Sequence, residues 1–336
     1  MLHYIHLIAY HNTGDTLCGY YNFFKELYNY DIHIHNIINI NFNIIKKSDT
    51  VIIGGGGLLD NCEAFNRDIN RILDLSDNVI FWSLGFHKRP KEHHFYNKIE
   101  ENIRLDNVKL LSIRDYNHES KIRYVPCATC MIPYFDSNYR LIERDIGVIK
   151  HEGFKKIFDE YETIENRDSI ETIINFILTS NIILTNSYHA AYWATLMKKK
   201  VIIYGKFANK FDYFKYKPVE YSGNISNDID KCNIYEDALS ESRELTINYF
   251  KEIKVFLNNA EKKYYNIGYE EIDIMKDNIY FISNRNISIS DMNTSINNDL
   301  NKLKNFIKKM IDKIVWFISI RKYRDKLRER MLDIIK

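Results

Sequence analysis

Leu2-His3-Tyr4-Ile5-His6-Leu7-Ile8-Ala9-Tyr10-His11-Asn12-Thr13-Gly14-Asp15-Thr16 is an apolar run that stops at a polar, glycine-containing turn. An apolar run of this length followed by turn residues reads as a buried strand feeding a loop. The same unit recurs. Thr50 to Ile53 runs into Gly54-Gly55-Gly56-Gly57, Asn78 to Leu84 into Gly85-Phe86-His87-Lys88-Arg89, and Val108 to Ile113 into Arg114-Asp115. Between these runs, Thr16 to Tyr28, Cys62 to Leu75 and His93 to Arg104 carry apolar residues near a 3.6 period and are predicted as helices. Strand and helix alternating in this way predict a parallel sheet covered by helices on both faces.

After a polar stretch from Asp136 to Asp145 the alternation restarts. Ile146 to Ile149, Ile182 to Thr185 and Val201 to Tyr204 read as strands, with Ser169 to Thr179 and Tyr188 to Lys199 as helices. The expected fold class is therefore α/β, with two Rossmann-like domains over residues 1–140 and 146–287. A glycine-free, proline-free stretch over 297–336 is predicted to form a basic amphipathic helical tail.

The 336 residues suit two domains rather than one. Net charge is only +2, but residues 301–336 hold twelve Lys/Arg against four Asp/Glu, which leaves the first 300 residues acidic. A nucleic-acid face on the main body is thereby excluded. The tail pattern fits either an anionic membrane surface or docking on protein. No run of eighteen apolar residues occurs and the start lacks a signal-peptide pattern, so a cytoplasmic protein is expected. Five cysteines without framework spacing suit reduced thiols.

In an open parallel sheet, ligands bind beyond the carboxyl ends of the strands, where loops lead into helix amino termini. Asn12, Gly14 and Asp15 fall there, as do Gly54, Gly55, Gly56, Gly57 and Gly85. Four of only twelve glycines stand consecutively after an apolar strand, which points to close backbone approach to an anionic ligand, with a tight loop packed against a neighbouring strand as the lesser alternative. The run is neither a P-loop nor a dinucleotide fingerprint. Asp15 is placed to cap the 16–28 helix. In the second half, Asn186 or Ser187 is expected to cap a helix carrying His189 in its first turn, where the positive dipole end favours an anion and a neutral imidazole. Lys206 and Lys210 follow the next strand and can reach the same opening. Cys127 and Cys130 have the separation of half a zinc site but no second ligand pair, so packing is their expected role and neither a metal nor a cofactor is called for.

Taken in order, Asn12-x-Gly14-Asp15, the glycine run, Ser112-Ile113-Arg114-Asp115 and Thr185-Asn186-Ser187-Tyr188-His189-Ala190-Ala191 resemble the polysaccharide pyruvyl transferase family over about residues 3 to 215. The resemblance implies two Rossmann-like domains facing across a cleft, as in GT-B-like glycosyltransferases. It also implies transfer of a pyruvyl group from phosphoenolpyruvate to a sugar of a surface polysaccharide (capsule, O-antigen or exopolysaccharide), free or as a lipid-linked glycan. Arg114 then holds the donor's carboxylate or phosphate, His189 is a proton donor or phosphate contact, and Asp15 receives a hydroxyl proton or hydrogen-bonds the sugar, as an alternative to its capping role. Two positions depart from the family pattern. Ser187 stands where some members have arginine, and Val125-Pro126-Cys127-Ala128-Thr129-Cys130 replaces a frequent Asp-Pro. These departures keep a rival open, a glycosyltransferase taking a nucleotide sugar as donor. A non-catalytic sugar-binding scaffold is the third reading, against which Asp15, Arg114 and His189 stand together.

Overall fold

The computed structural model describes residues 1–59, 62–87, 103–136 and 141–259. The first sheet is built from β1 (Leu2–His6), β2 (Ile32–Asn36), β3 (Thr50–Gly54), β4 (Asn78–Leu84) and β5 (Leu110–Ile113). Its order is β2-β1-β3-β4-β5 and every pairing is parallel. Two helices belong to this half, α1 (Thr13–Leu17) and α2 (Glu63–Leu75). The second sheet uses β6 (Arg144–Lys150), β7 (Glu162–Glu165), β8 (Ser180–Thr185), β9 (Lys200–Ile203) and β10 (Val219–Glu220). Its order is β10-β9-β8-β6-β7, again parallel throughout. Helices α3 (Ile170–Leu178), α4 (Tyr188–Leu196), α5 (Ile225–Lys231) and α6 (Ala238–Asn259) accompany it in sequence. Two parallel five-stranded sheets with helices bear out the expected α/β class.

The two sheets share one topology. In each, the first strand lies between its successor and the third strand, and the chain then continues outward on the far side. The order reverses between β1 and β3 in one sheet and between β6 and β8 in the other. Loops leaving the strands on either side of such a reversal diverge to opposite faces and open a crevice at the carboxyl edge.

Continuous burial explains the central strands. All of β3 is buried, as is β4 beyond its first residue, which is the pattern of strands covered on both faces. One face of the first sheet packs on α2 through Ile69, Ile72 and Leu73, spaced to share a helix face. The opposite face packs on α6, whose Tyr249, Phe250, Ile253 and Leu257 join Tyr4, Tyr20 and Trp82. Thus the last described helix, which follows the second sheet in sequence, completes the core of the first. Every residue of α4 is buried. Ala190, Ala191 and Ala194 give it a slim body, which an all-round buried helix needs.

Several expectations change. The helix predicted over 16–28 is instead the short α1 followed by 3₁₀ turns at Tyr20–Asn22 and Lys25–Asn29. Aromatic burial overrides the 3.6 period here, with Tyr20 stacked on Trp82 at 3.8 Å between centroids and Tyr21 edge-on to Tyr4 at 5.1 Å. Asn12, not Asp15, caps α1, accepting from the amide of Asp15. The first strand ends at His6 rather than Ala9. Strands β2, β7 and β10 and helices α5 and α6 are additional to the sequence reading. The predicted 93–104 helix falls largely outside the described residues, as do Lys88, Arg89 and the whole 297–336 tail.

Candidate active site

The loops at the two reversal points meet. The turn after β1 is bound to the second half by hydrogen bonds from the Thr13 amide to the Asn166 carbonyl, 3.2 Å, and from Thr13 Oγ1 to the Asp168 carbonyl, 2.7 Å. Gly14 lies close against the ring of His189, and a Cβ on Gly14 would stand 2.2 Å from Cγ of that ring. Glycine is required there by close approach rather than by backbone angle. Asp15, one residue on, places Oδ1 3.7 Å from Nδ1 of His189, while its other oxygen accepts from Asn12 Nδ2 at 2.8 Å. Burial and the charges of Arg114 and Lys210 hold the His189 imidazole well below its ordinary pKa, so the Asp15 contact is carboxylate to neutral ring, not an ion pair.

Arg114 leaves β5 and reaches under the loops of the first sheet. Its guanidinium stacks on Tyr188, the first residue of α4, at 4.1 Å from the ring centroid. Gly85 lies over its Nε, where a Cβ would approach to 2.3 Å, and Gly57 lies beside its Nη2. The chain reaches Gly85 through Ser83, whose φ of 54° puts a non-glycine residue in the left-handed region. Ser83 is held there by its amide on Ser112 Oγ at 3.0 Å, its hydroxyl on the Pro126 carbonyl at 3.0 Å, and a contact with Tyr20 Oη. The β4–β5 register shifts at this point, which redirects the loop across Arg114.

Arg114 is 3% exposed, yet its Nε and Nη1 have no hydrogen-bond partner. Burial opposes its charge, but Tyr188, Cys127, Asp115 and Asp15 around it more than offset this and push its pKa up. The adjacent Asp115 accepts from the Phe86 amide at 2.7 Å through one carboxylate oxygen, and its other oxygen is buried without a partner. Burial pushes the Asp115 carboxyl up to about 7, against the lowering pull of Arg114, the Phe86 amide and Lys210. Lys210 is 7% exposed, its Nζ 4.8 Å from the Phe207 ring centroid. Two buried cations therefore stand beside one carboxyl that sheds its charge near neutrality, which is an environment that favours a bound anion.

The other expected residues are distributed as follows. Gly54 and Gly55 serve packing rather than an open anion cradle, since a Cβ would meet Tyr4 Oη at 2.7 Å and the Cys18 carbonyl at 2.1 Å respectively. Gly55 and Gly56 also have positive φ, 78° and 83°. Ser187 occupies the cap position of α4 without a side-chain cap bond, and Asn186 directs Oδ1 to the His151 amide at 2.6 Å instead. Lys206 pairs with Asp212 and with Glu220. Asp115 and Tyr188 were not singled out in the sequence although both lie within the quoted motifs, and Cys127 was expected only to pack. Nothing in spacing alone reveals that Cys127 Sγ lies 3.7 Å from His189 Nε2.

A family model described as polysaccharide pyruvyl transferase matches residues 12–205. No curated protein matches the chain at a significant level. Among solved structures, the chain is similar to a functionally uncharacterised protein from Klebsiella pneumoniae subsp. pneumoniae at 16% identity, over 66% of this chain and 93% of that one, with a TM-score of 0.41.

Proposed function

The chain belongs to the polysaccharide pyruvyl transferase family, and from that premise we propose that it transfers the pyruvyl unit of phosphoenolpyruvate to a sugar of a surface polysaccharide. The observation that carries this reading is the buried Arg114 guanidinium with two unpartnered N–H groups, facing Tyr188 and a neutral His189 across the two reversal points. Leaving buried donors of a charged group without hydrogen-bond partners costs about 1–3 kcal/mol or more, so such a group is retained where an anion completes it. A planar fork suits the carboxylate or phosphate of the donor. Lys210 adds a second positive charge for the departing phosphate, and the Asp15 carboxylate accepts the proton of the attacking hydroxyl.

Residues 1–140 and 146–287 then act as two Rossmann-like domains facing across a GT-B-like cleft, with the acceptor sugar entering from solvent. Asp15 lies on the accessible side, with its side chain 21% exposed against 5% for His189. Among the described residues no helix is long and apolar enough to cross a membrane. Contact with a lipid-linked acceptor is assigned to the 297–336 tail.

Thermal unfolding with phosphoenolpyruvate, against a panel of nucleotide sugars, tests the donor. A ligand at a hundredfold excess over its Kd stabilises by about 2.7 kcal/mol, which raises Tm by roughly 4 °C in a chain of this size. Phosphoenolpyruvate should give that shift in the wild type and not in Arg114→Ala. A shift with a nucleotide sugar and none with phosphoenolpyruvate would replace the pyruvyl donor by a glycosyl donor.

A further inference from the structure

Protonation of carbon is the step of this reaction for which the resemblance offers His189 as proton donor, and the state of that ring argues for another acid. The pyruvyl unit arrives as an enol and ends as a methyl group, so a proton must be delivered to its methylene carbon. His189 is neutral through burial and the charges of Arg114 and Lys210. A neutral imidazole is a far weaker acid than a thiol, which titrates at about 8.5 in a free cysteine. Sulfur lies on the second nitrogen of this same ring. Cys127 Sγ is 3.7 Å from Nε2, while Nδ1 faces Asp15 Oδ1, also at 3.7 Å. Carboxylate, imidazole and thiol thus stand in one row, the arrangement in which an orienting acid, a relay and a reactive group recur on unrelated folds. Such contacts are commonly long before substrate binds.

Thr129 Oγ1 donates to the sulfur of Cys127 at 3.4 Å, a hydrogen bond that strengthens as the sulfur becomes negative, and one further feature separates Cys127 from the other buried thiols. A narrow cavity beside α4 is lined jointly by Cys127, Arg114, Tyr188 and Tyr192, so the thiol shares its space with the guanidinium that carries unpartnered N–H groups. Cys18 instead donates to the Asp15 carbonyl at 2.9 Å, and Cys130 contacts Thr246 Oγ1 at 3.4 Å. The position of Cys127 is also fixed from behind, since its carbonyl accepts from Tyr192 Oη at 3.3 Å and from the Cys130 amide at 3.1 Å.

We propose that Cys127 is the acid that protonates the methylene carbon of the enolpyruvyl donor, with His189 and Asp15 returning its proton, an assignment that rests on the pyruvyl-donor reading above. The S–H bond breaks as the electron pair of the C=C bond takes the proton, and the adjacent carbon is left electron-poor. A sugar hydroxyl oxygen adds to that carbon. Its proton passes to Asp15, enters the imidazole at Nδ1 and leaves from Nε2 to the thiolate. When a second hydroxyl oxygen closes the ketal, the C–O bond to phosphate breaks and the second proton departs with phosphate. No oxidant, reductant or further reactant is required.

Labelling of the wild-type chain with iodoacetamide, followed by peptide mass spectrometry, needs no donor. Cys18, Cys127 and Cys130 are each no more than 1% exposed, and thiolate character governs alkylation. Cys127 should react at least about tenfold faster than the other two, and His189→Gln should remove the difference. Equal rates, or a difference indifferent to His189, overturn the proposal. In the second arm, Cys127→Ser should keep the Tm shift given by phosphoenolpyruvate while transfer falls roughly 100-fold or more, the usual worth of a positioned acid. Wild-type transfer by Cys127→Ser also overturns it. A wild-type chain that phosphoenolpyruvate does not stabilise sinks the donor reading and the carbon-acid role with it, whereas fast His189-dependent labelling in that case identifies the thiol–imidazole pair by itself.

Discussion

Gly14 shows how a single residue sets the site. Its missing side chain lets the His189 ring lie against the backbone of the turn that carries Asp15, and that contact is what joins the two halves chemically. Adding one methyl group puts carbon 2.2 Å from the imidazole, so either the ring or the whole turn must move. Gly14→Ala should therefore cost about 1–3 kcal/mol of stability, as overpacking does, and reduce transfer by more than 100-fold, since a displacement of about 1 Å in a reacting group has that effect. Thermal unfolding and a transfer assay check the two numbers separately. A variant with normal turnover would show that His189 is not in contact with the chemistry. Gly85 over Arg114 and Gly57 beside it follow the same logic for the anion side of the site. The importance of these glycines was legible in the sequence, but their purpose was not. The sequence suggests glycines facing a ligand, whereas Gly14 and Gly85 face the side chains of His189 and Arg114.

At the scale of elements, helix α6 carries a burden its position in the chain does not suggest. Tyr249 donates from Oη to the Phe81 carbonyl at 2.9 Å, in the strand that leads to Ser83 and Gly85. Phe250 lies 4.2 Å from Phe24 and 5.7 Å from Trp82, centroid to centroid. Arg123 and Glu252 tie the same helix to the segment after β5 with a two-oxygen ion pair, each contact 2.7 Å. Phe250→Ala should cost about 3–5 kcal/mol, the usual price for an aromatic side chain removed from a core. Because the lost packing backs β4, phosphoenolpyruvate binding should weaken along with stability. Chemical denaturation together with a titration of the donor reads both, and loss of stability with undiminished binding would mean that the first sheet holds its loops without α6. Motif-bearing strands and helices were readable because their apolar runs are continuous and end in glycine or polar turns. Strands β2, β7 and β10 were not, since β2 and β7 are only partly buried and β10 is two residues long.

Across the whole molecule, buried neutral histidines make stability depend on pH. His6 is fully buried beside Tyr21 Oη at 2.9 Å, and burial depresses it to about 3. Burial likewise depresses His35 to about 4 and lowers His3, which contacts both His35 and Asp49. A histidine depressed in the folded state binds its proton more readily when unfolded, so its contribution is complete above the unfolded value of about 6.5 and is lost as pH falls towards the folded value. Each such group weakens the fold by about 1.4 kcal/mol per pH unit inside that window. Between pH 7 and 5, His6 and His35 together should remove on the order of 4 kcal/mol. Thermal unfolding at the two pH values measures it, and a His6→Asn, His35→Gln variant should show a flatter dependence. An unchanged Tm in the wild type would mean that these rings are charged in the fold.

What the sequence determined by itself is the class of the fold, the family, and the four loops from which the candidate site is drawn. Each of these depends on local pattern, apolar runs of strand length ending in turn residues, and local pattern is present in the chain before it folds. The strand order, the pairing of two reversal points, the return of α6 to the first sheet, and the row of Asp15, His189 and Cys127 were decided by tertiary structure. They join residues as far apart as Asp15 and His189, or Phe81 and Tyr249, and no periodicity encodes a distance across that separation. Burial then completed the chemistry, because the neutral His189, the half-charged Asp115 and the unpartnered Arg114 owe their states to water being excluded from around them.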